Sequence, residues 1–218
     1  MKRIIRLLFF VALSFTATGC LDMVEEISLN NDGSGTYVYS MDASKLVEQL
    51  KPLASLDSTG QMMNNLYKNF DSTYTSYMQK YEGINGVSNV RYAKSTADVY
   101  KITLDFANVN VLNTVVDITK GEEVETGLYT WSKGRFNRKD GGVAISDELL
   151  GDDENKEMAE LYLKDMTYSL ILHFPGKVKS VSNKNAALSD NDRTVKATYS
   201  MTDIRDKTKS LQNEIKYK

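Results

Sequence analysis

The chain is poor in the side chains that build most metal centres and covalent catalysts. Its 218 residues include one cysteine, one histidine, one tryptophan and two prolines. Zinc sites and Ser-His or Cys-His nucleophilic sites draw on several such side chains, so this scarcity excludes most of them. No Gly-rich nucleotide motif and no Gly-x-Ser-x-Gly turn occurs. The sequence therefore predicts no metal and no cofactor, and it favours a protein that is not an enzyme.

The chain also lacks a long hydrophobic run and an excess of positive charge. The uncharged run over residues 7–21 has 15 residues, fewer than the roughly 20 that a helix needs to cross a bilayer. Lys and Arg number 27 against 29 Asp and Glu. Nucleic-acid affinity comes mainly from neutralising phosphates with basic side chains, so no nucleic-acid partner is expected.

The amino terminus has the pattern of a removable export signal. Lys2, Arg3 and Arg6 precede the short apolar run, and small residues follow it at Ala17-Thr18-Gly19. A basic start, an apolar segment and small residues before a break are typical of a signal peptide over residues 1–19. The mature body would then be residues 20–218. A transmembrane anchor is the less favoured alternative, because the run is too short.

The segment Ala17-Thr18-Gly19-Cys20 resembles the lipobox of bacterial lipoproteins, and Cys20 is the only cysteine. The resemblance implies cleavage between Gly19 and Cys20, and acylation of Cys20 with palmitate-type chains that anchor the protein to a membrane. Each buried CH₂ contributes about 0.8 kcal/mol, so two or more chains anchor stably. In this family, an aspartate directly after the cysteine can retain the protein at the inner membrane. Leu21 occupies that position here, so the resemblance favours the outer membrane. A plain secretory signal with an incidental cysteine is the alternative.

The mature body alternates strand-like and helix-like patterns. Clean polar–apolar alternation, as in residues 36–41, 99–106 and 166–174, predicts strands with one buried face. Apolar residues recur every three or four positions over residues 57–82, which predicts the longest helix. The fold class is therefore α+β, with antiparallel sheets of roughly seven to ten strands and three to five helices on one side. The body would divide into two lobes, if at all, near residues 139–153.

Three groups of side chains are candidates for a binding or catalytic site. Tyr67, Tyr74, Tyr77 and Tyr81 share one helical stripe and would suit a lipid or carbohydrate platform, although ordinary helix packing is the favoured interpretation. His173 lies on the polar face of its strand, where a structural or surface role is favoured over a catalytic base. An acidic cluster over 147–157 is better explained as the solvated start of a helix than as a cation site.

The body resembles lipoproteins with an LppM-type domain in two places. One is the hairpin after the cysteine, over residues 27–41. The other is His173-Phe174-Pro175-Gly176-Lys177-Val178 with the strand that follows it, over residues 194–201. The resemblance implies an α+β domain that holds lipid or glycolipid, and it carries over no catalytic residue.

The function expected from these observations is that of a lipid-anchored, non-enzymatic envelope lipoprotein that binds a lipid, a glycan or a protein. Two alternatives stay open. One is a carboxylate-dependent hydrolase of an envelope polymer, since the separation of two carboxylates is a property of the fold. The other is a structural subunit of an envelope assembly, which would show a large exposed apolar patch.

Overall fold

The computed structural model describes residues 21–95, 98–120, 127–141, 163–189 and 191–218. The predictions on the signal peptide, on Gly19 and Cys20, and on the acidic cluster over 147–157 fall outside these ranges, as does most of the segment at which two lobes would divide.

Eleven strands in the described residues form two sheets. The large sheet has seven strands in the order β3-β4-β2-β1-β7-β10-β9, and the small sheet has four in the order β5-β6-β11-β8. The strands are β1 (Leu21–Leu29), β2 (Gly35–Asp42), β3 (Val87–Lys94), β4 (Val99–Phe106), β5 (Tyr129–Ser132), β6 (Arg135–Arg138), β7 (Met166–His173), β8 (Val178–Val181), β9 (Ala186–Ser189), β10 (Thr194–Ser200) and β11 (Asn213–Tyr217).

One face of the large sheet is covered by the helices and by the small sheet, and the core lies between these layers. The helices are α1 (Ser44–Ala54), α2 (Gln61–Glu82), α3 (Val109–Lys120) and α4 (Met201–Arg205). The covered face presents alternate residues of the central strands, among them Ile27, Tyr37, Ile102 and Leu104, all fully buried. Burying a large apolar side chain contributes about 1.5–3 kcal/mol, so this layer supplies most of the driving force for folding.

Local sequence explains the first hairpin and the longest helix. In the turn between β1 and β2, the Asp32 carboxylate accepts hydrogen bonds from the Ser34 amide at 3.0 Å and the Ser34 hydroxyl at 2.7 Å, a usual role for Asp in a tight turn. Before α2, the Asp57 carboxylate accepts from the Met62 amide at 2.8 Å, which satisfies a free N–H of the first helical turn.

The predicted α+β class is confirmed, and the structure corrects two details of it. The described residues hold eleven strands rather than seven to ten, since the short edge strand β9 carries too little alternation to be recognised in the sequence. The large sheet is mixed rather than antiparallel, because β1 and β7 pair in parallel, with Leu21 opposite Met166 and Ser28 opposite His173. The clean alternation of both strands follows from the exposed second face of the sheet, not from the strand direction.

The carboxyl-terminal segment forms a short helix followed by a strand. α4 ends at Arg205, and β11 occupies Asn213–Tyr217. β11 lies between β6 and β8, so it completes the small sheet.

Candidate functional site

The second face of the large sheet carries no described helix or strand. We call it the open face. Its side chains are mostly half-buried, short and polar, with Val24, Val38 and Ile171 as its apolar members. The open face is formed by Asp22, Val24, Glu26 and Ser28 of β1, Thr36, Val38 and Ser40 of β2, Lys101, Thr103 and Asp105 of β4, Thr167, Ser169, Ile171 and His173 of β7, and Thr194, Lys196 and Thr198 of β10.

The strand register arranges these side chains in rows across the sheet. One row runs through Thr103, Val38, Glu26, Ile171 and Lys196, each paired with the next. Residues opposite each other on neighbouring strands have their Cβ atoms about 5 Å apart. The surface is therefore a regular grid of hydroxyl, methyl and charged groups.

The single histidine lies near one end of this grid between an acid and a hydroxyl. The His173 Nε2 atom is 2.8 Å from Oε1 of Glu26, and its Nδ1 atom is 2.9 Å from Oγ1 of Thr194. The three side chains come from β1, β7 and β10 and join these strands on the open face. Both imidazole nitrogens therefore have partners within the protein.

An acid, an imidazole and a hydroxyl in this order are the ingredients of a nucleophilic triad. The hydroxyl must reach a substrate, yet Thr194 is buried. The geometry thus fits a polar clamp between strands better than a nucleophile. It places His173 on the polar side of β7, as the sequence alternation predicted.

The residue beside Glu26 points to the opposite face and forms a buried polar cluster. Glu25 is 4% exposed. Its carboxylate accepts hydrogen bonds from the hydroxyls of Tyr129 at 2.6 Å and Tyr168 at 2.7 Å. Burial, followed by the charge of Glu25, raises the pKa values of both tyrosines well above their ordinary value. Both hydroxyls therefore stay protonated as donors.

Arg138 completes this cluster from the small sheet. It is fully buried, and its guanidinium lies 5.9 Å from the centre of the Tyr129 ring and donates to the Lys139 carbonyl at 3.2 Å. Burial lowers the pKa of Arg138. The electrostatic interactions with Tyr129, Tyr168 and Glu25 raise it by more, so the pKa lies above its ordinary value. The cluster joins the two sheets, and sequence reasoning missed it because Glu25 stands in a charged stretch that is typical of a surface.

The four tyrosines of the predicted platform do not share one accessible surface. Tyr74 is 2% exposed and Tyr81 is fully buried, whereas Tyr67 and Tyr77 are half-buried. Burial raises the pKa of Tyr77, and the rings of Tyr74 and Tyr77 contact edge to face at 6.2 Å. Tyr74 and Tyr81 belong to the core, as in the packing alternative, so only Tyr67 and Tyr77 of the four are partly accessible. Tyr67 instead lies beneath the Lys94 ammonium, 5.1 Å from its ring centre.

A small cavity of about 250 Å³ lies beside α4. It is about as large as the lower limit for sites that enclose small molecules, roughly 300 Å³. Asp140 closes one side by accepting a hydrogen bond from the Leu211 amide at 3.0 Å. The cavity is lined by Asp140, Gly141, Ile204, Lys207, Lys209 and Leu211. It is small for a lipid that carries two acyl chains.

In the part of the chain that the structure describes, no helix is both long enough and apolar enough to span a bilayer. No protein-family model and no curated protein matches the sequence. Among solved structures, the chain is similar to the folded domain of the LppM protein of Mycobacterium tuberculosis, determined by NMR. The identity is 10%, the TM-score is 0.43, and the match covers 94% of this chain and 92% of that one. The likeness is weak by both measures and transfers no function.

Proposed function

We propose that this chain is a lipid-anchored lipoprotein of the bacterial envelope, at the outer membrane, that binds a protein partner through its open face and catalyses no reaction. The anchor is Cys20, within the lipobox-like Ala17-Thr18-Gly19-Cys20. The observation that carries the binding role is the open face itself, a seven-stranded surface on which no described element packs.

The size and shape of the open face favour a protein as the partner. Seven strands about 4.8 Å apart span roughly 29 Å, and a strand of eight residues spans roughly 27 Å, although β9 has only four residues. The footprint is therefore at most about 780 Å², close to the roughly 800 Å² that each partner contributes to a standard protein interface. Sites for lipids and other small molecules are concave instead.

The charges of the open face support the same choice. Glu26 and Asp105 lie among Lys101 and Lys196, so neither sign dominates the surface. A polymer of one charge would be bound best by a surface of the opposite charge, whereas interspersed charges specify a protein partner with a complementary pattern. Lipid and glycan remain alternative partners for this site.

Neither alternative function is favoured by a specific observation. A hydrolase would need two carboxylates facing a cleft, but Asp22 and Asp42 are cross-strand neighbours at one end of an open sheet. A structural subunit would need a large apolar patch. Leu56, Met62 and Leu188 are the exposed large hydrophobic residues of the described chain. Leu56 and Met62 flank one turn and Leu188 lies on β9, so they form at most a small apolar patch.

Site-specific photocrosslinking in intact cells tests the binding role. A photoreactive phenylalanine analogue replaces Val38, in the centre of the open face, or Lys80, exposed on the far side of the molecule on α2. We expect a discrete crosslinked protein with the probe at position 38 and none at position 80, identified by mass spectrometry. No adduct at position 38, or the same adducts at both positions, would contradict the proposed use of the open face.

A further inference from the structure

The proposed anchor is joined directly to the folded body. β1 begins at Leu21, the residue after Cys20, and Leu21 is buried and paired with Met166. One residue of extended chain spans at most about 3.6 Å. An acylated Cys20 would therefore hold one end of the large sheet against the membrane. We call this the anchor end, marked by Leu21 of β1, Asp42 of β2 and Val99 of β4.

The helical hairpin formed by α1 and α2 starts at the anchor end. α1 begins at Ser44, two residues after Asp42, and Asp42 pairs with Asp22. The Lys45 ammonium lies 4.0 Å from the Asp22 carboxylate. The hairpin is therefore a close neighbour of the residues that follow Cys20.

α2 extends beyond the sheet on the same side. Phe70 contacts Tyr100 with ring centres 5.2 Å apart, and Asp71 binds Lys94 at 3.1 Å, both at the anchor end of β4 and β3. The carboxyl end of α2 leads to Val87 at the opposite end of β3. The residues from Gln61 to Asn69 thus continue away from the sheet for about 13 Å, at 1.5 Å per residue.

The tip of this hairpin carries exposed apolar side chains on a fixed turn. Leu56 is 81% exposed and Met62 is 36% exposed, and Leu188 of β9 is the third strongly exposed large hydrophobic residue in the described chain. Asp57 holds the turn, since its carboxylate accepts from the amides of Met62 at 2.8 Å and Thr59 at 2.9 Å. The tip therefore presents Leu56 outward, largely uncovered by the described residues.

The charge of the hairpin suits a membrane surface. Residues 44–70 contain three lysines, Lys45, Lys51 and Lys68, against Glu48 and Asp57, whereas the whole chain carries a net charge of −2. Anionic headgroups attract basic residues near the surface. The part of the body that projects toward the membrane is thus slightly basic within an acidic protein.

From this arrangement we propose that the tip of the α1–α2 hairpin, residues 55–62, lies in the headgroup layer of the membrane that holds Cys20 and inserts Leu56 beside the acyl chains. The inference rests on the proposed lipidation. Two contacts fix the orientation of the body, so the strands stand along the membrane normal. The open face is then perpendicular to the membrane and accessible from the side.

Depth-dependent quenching tests the insertion. Leu56→Cys is labelled with an environment-sensitive fluorophore, which is specific because acylation blocks Cys20, the only native thiol. The full lipidated protein is reconstituted in vesicles of phosphatidylethanolamine and phosphatidylglycerol that contain lipids with a quencher near the headgroup. Leu188→Cys is the matched control, an exposed leucine on β9 whose partner Val195 lies toward the opposite end of the sheet. We expect a blue-shifted emission and several-fold stronger quenching at position 56 than at position 188.

Flotation of the same samples separates the two claims. Protein that floats with the vesicles but shows equal, weak quenching at both positions would overturn the insertion and leave the lipid anchor intact. Protein that does not float, because Cys20 carries no lipid, would overturn the anchor and with it the inference. A second variant, Leu56→Asp, places a charge at the proposed insertion point, and its fluorophore is attached at Met62→Cys. The blue shift seen at Met62→Cys alone should be lost in this variant. Unchanged emission would count against insertion.

Discussion

Replacing Glu25 with alanine should destabilise the body far more than the same change at its neighbour Glu26. Glu25→Ala removes the acceptor of two buried tyrosine hydroxyls and the carboxylate near the buried Arg138. An unsatisfied buried donor costs about 1–3 kcal/mol, and breaking a buried charge arrangement by removing one partner costs about 3–5 kcal/mol. Because these costs overlap, we expect a loss of about 3–5 kcal/mol in the free energy of unfolding.

Glu26→Ala is the matched control on the open face. It removes a partly exposed hydrogen-bonded contact with His173 at 2.8 Å, and partly exposed polar pairs of this kind contribute about 0–1 kcal/mol. With a urea dependence of about 2 kcal/mol/M, the denaturation midpoint should fall by about 2 M for Glu25→Ala and by less than about 0.5 M for Glu26→Ala. Equal shifts for the two variants would refute the assignment of Glu25 to the core.

Two further predictions concern the edges of the fold. Asp203 accepts from Lys209 at 2.7 Å, and this contact lowers its pKa from 3.8 to about 2. This stabilisation is therefore present above pH 3.8 and is lost as the pH falls toward 2. Asp203→Asn should remove this pH dependence from the free energy of unfolding measured in urea. An unchanged pH dependence between 4 and 2 would count against the ion pair. Gly35→Ala should cost at least about 2 kcal/mol by overpacking, because its Cβ would lie 2.0 Å from the Ser28 carbonyl oxygen, whereas Gly83→Ala meets nothing closer than 3.4 Å. Urea denaturation compares the two, and equal costs would contradict the packing at Gly35.

The elements that local sequence determines could be predicted, and those that depend on distant pairing could not. The β1–β2 hairpin follows from alternation around a turn rich in Asn, Asp and Gly, and α2 follows from its helical period. The parallel pairing of β1 with β7 joins residues more than 140 positions apart, and no local pattern encodes such a partner. β9 has only four residues, mostly exposed, so it carries no alternation to recognise.

In the candidate site, too, the local features could be predicted from the sequence and the long-range contacts could not. Alternation placed His173 on a polar face, but its partners Glu26 and Thr194 come from two other strands that only the sheet order brings together. The helical stripe of tyrosines was visible in the sequence, yet a stripe does not state which side faces the core, and the structure buries Tyr74 and Tyr81. Glu25 could not be recognised as buried from the sequence. Acidic residues are mostly exposed, and only its tyrosine partners in the fold explain its burial.

Mass spectrometry of the amino-terminal peptide of the protein purified from its native membranes tests the lipid anchor. We expect a peptide that begins at Cys20, with acyl chains on the thiol, and we expect Cys20→Ser to release the body from the membrane. A mature peptide with an unmodified Cys20, or one that still carries residues 1–19, would contradict the lipid anchor on which the proposed function and the membrane contact of Leu56 depend.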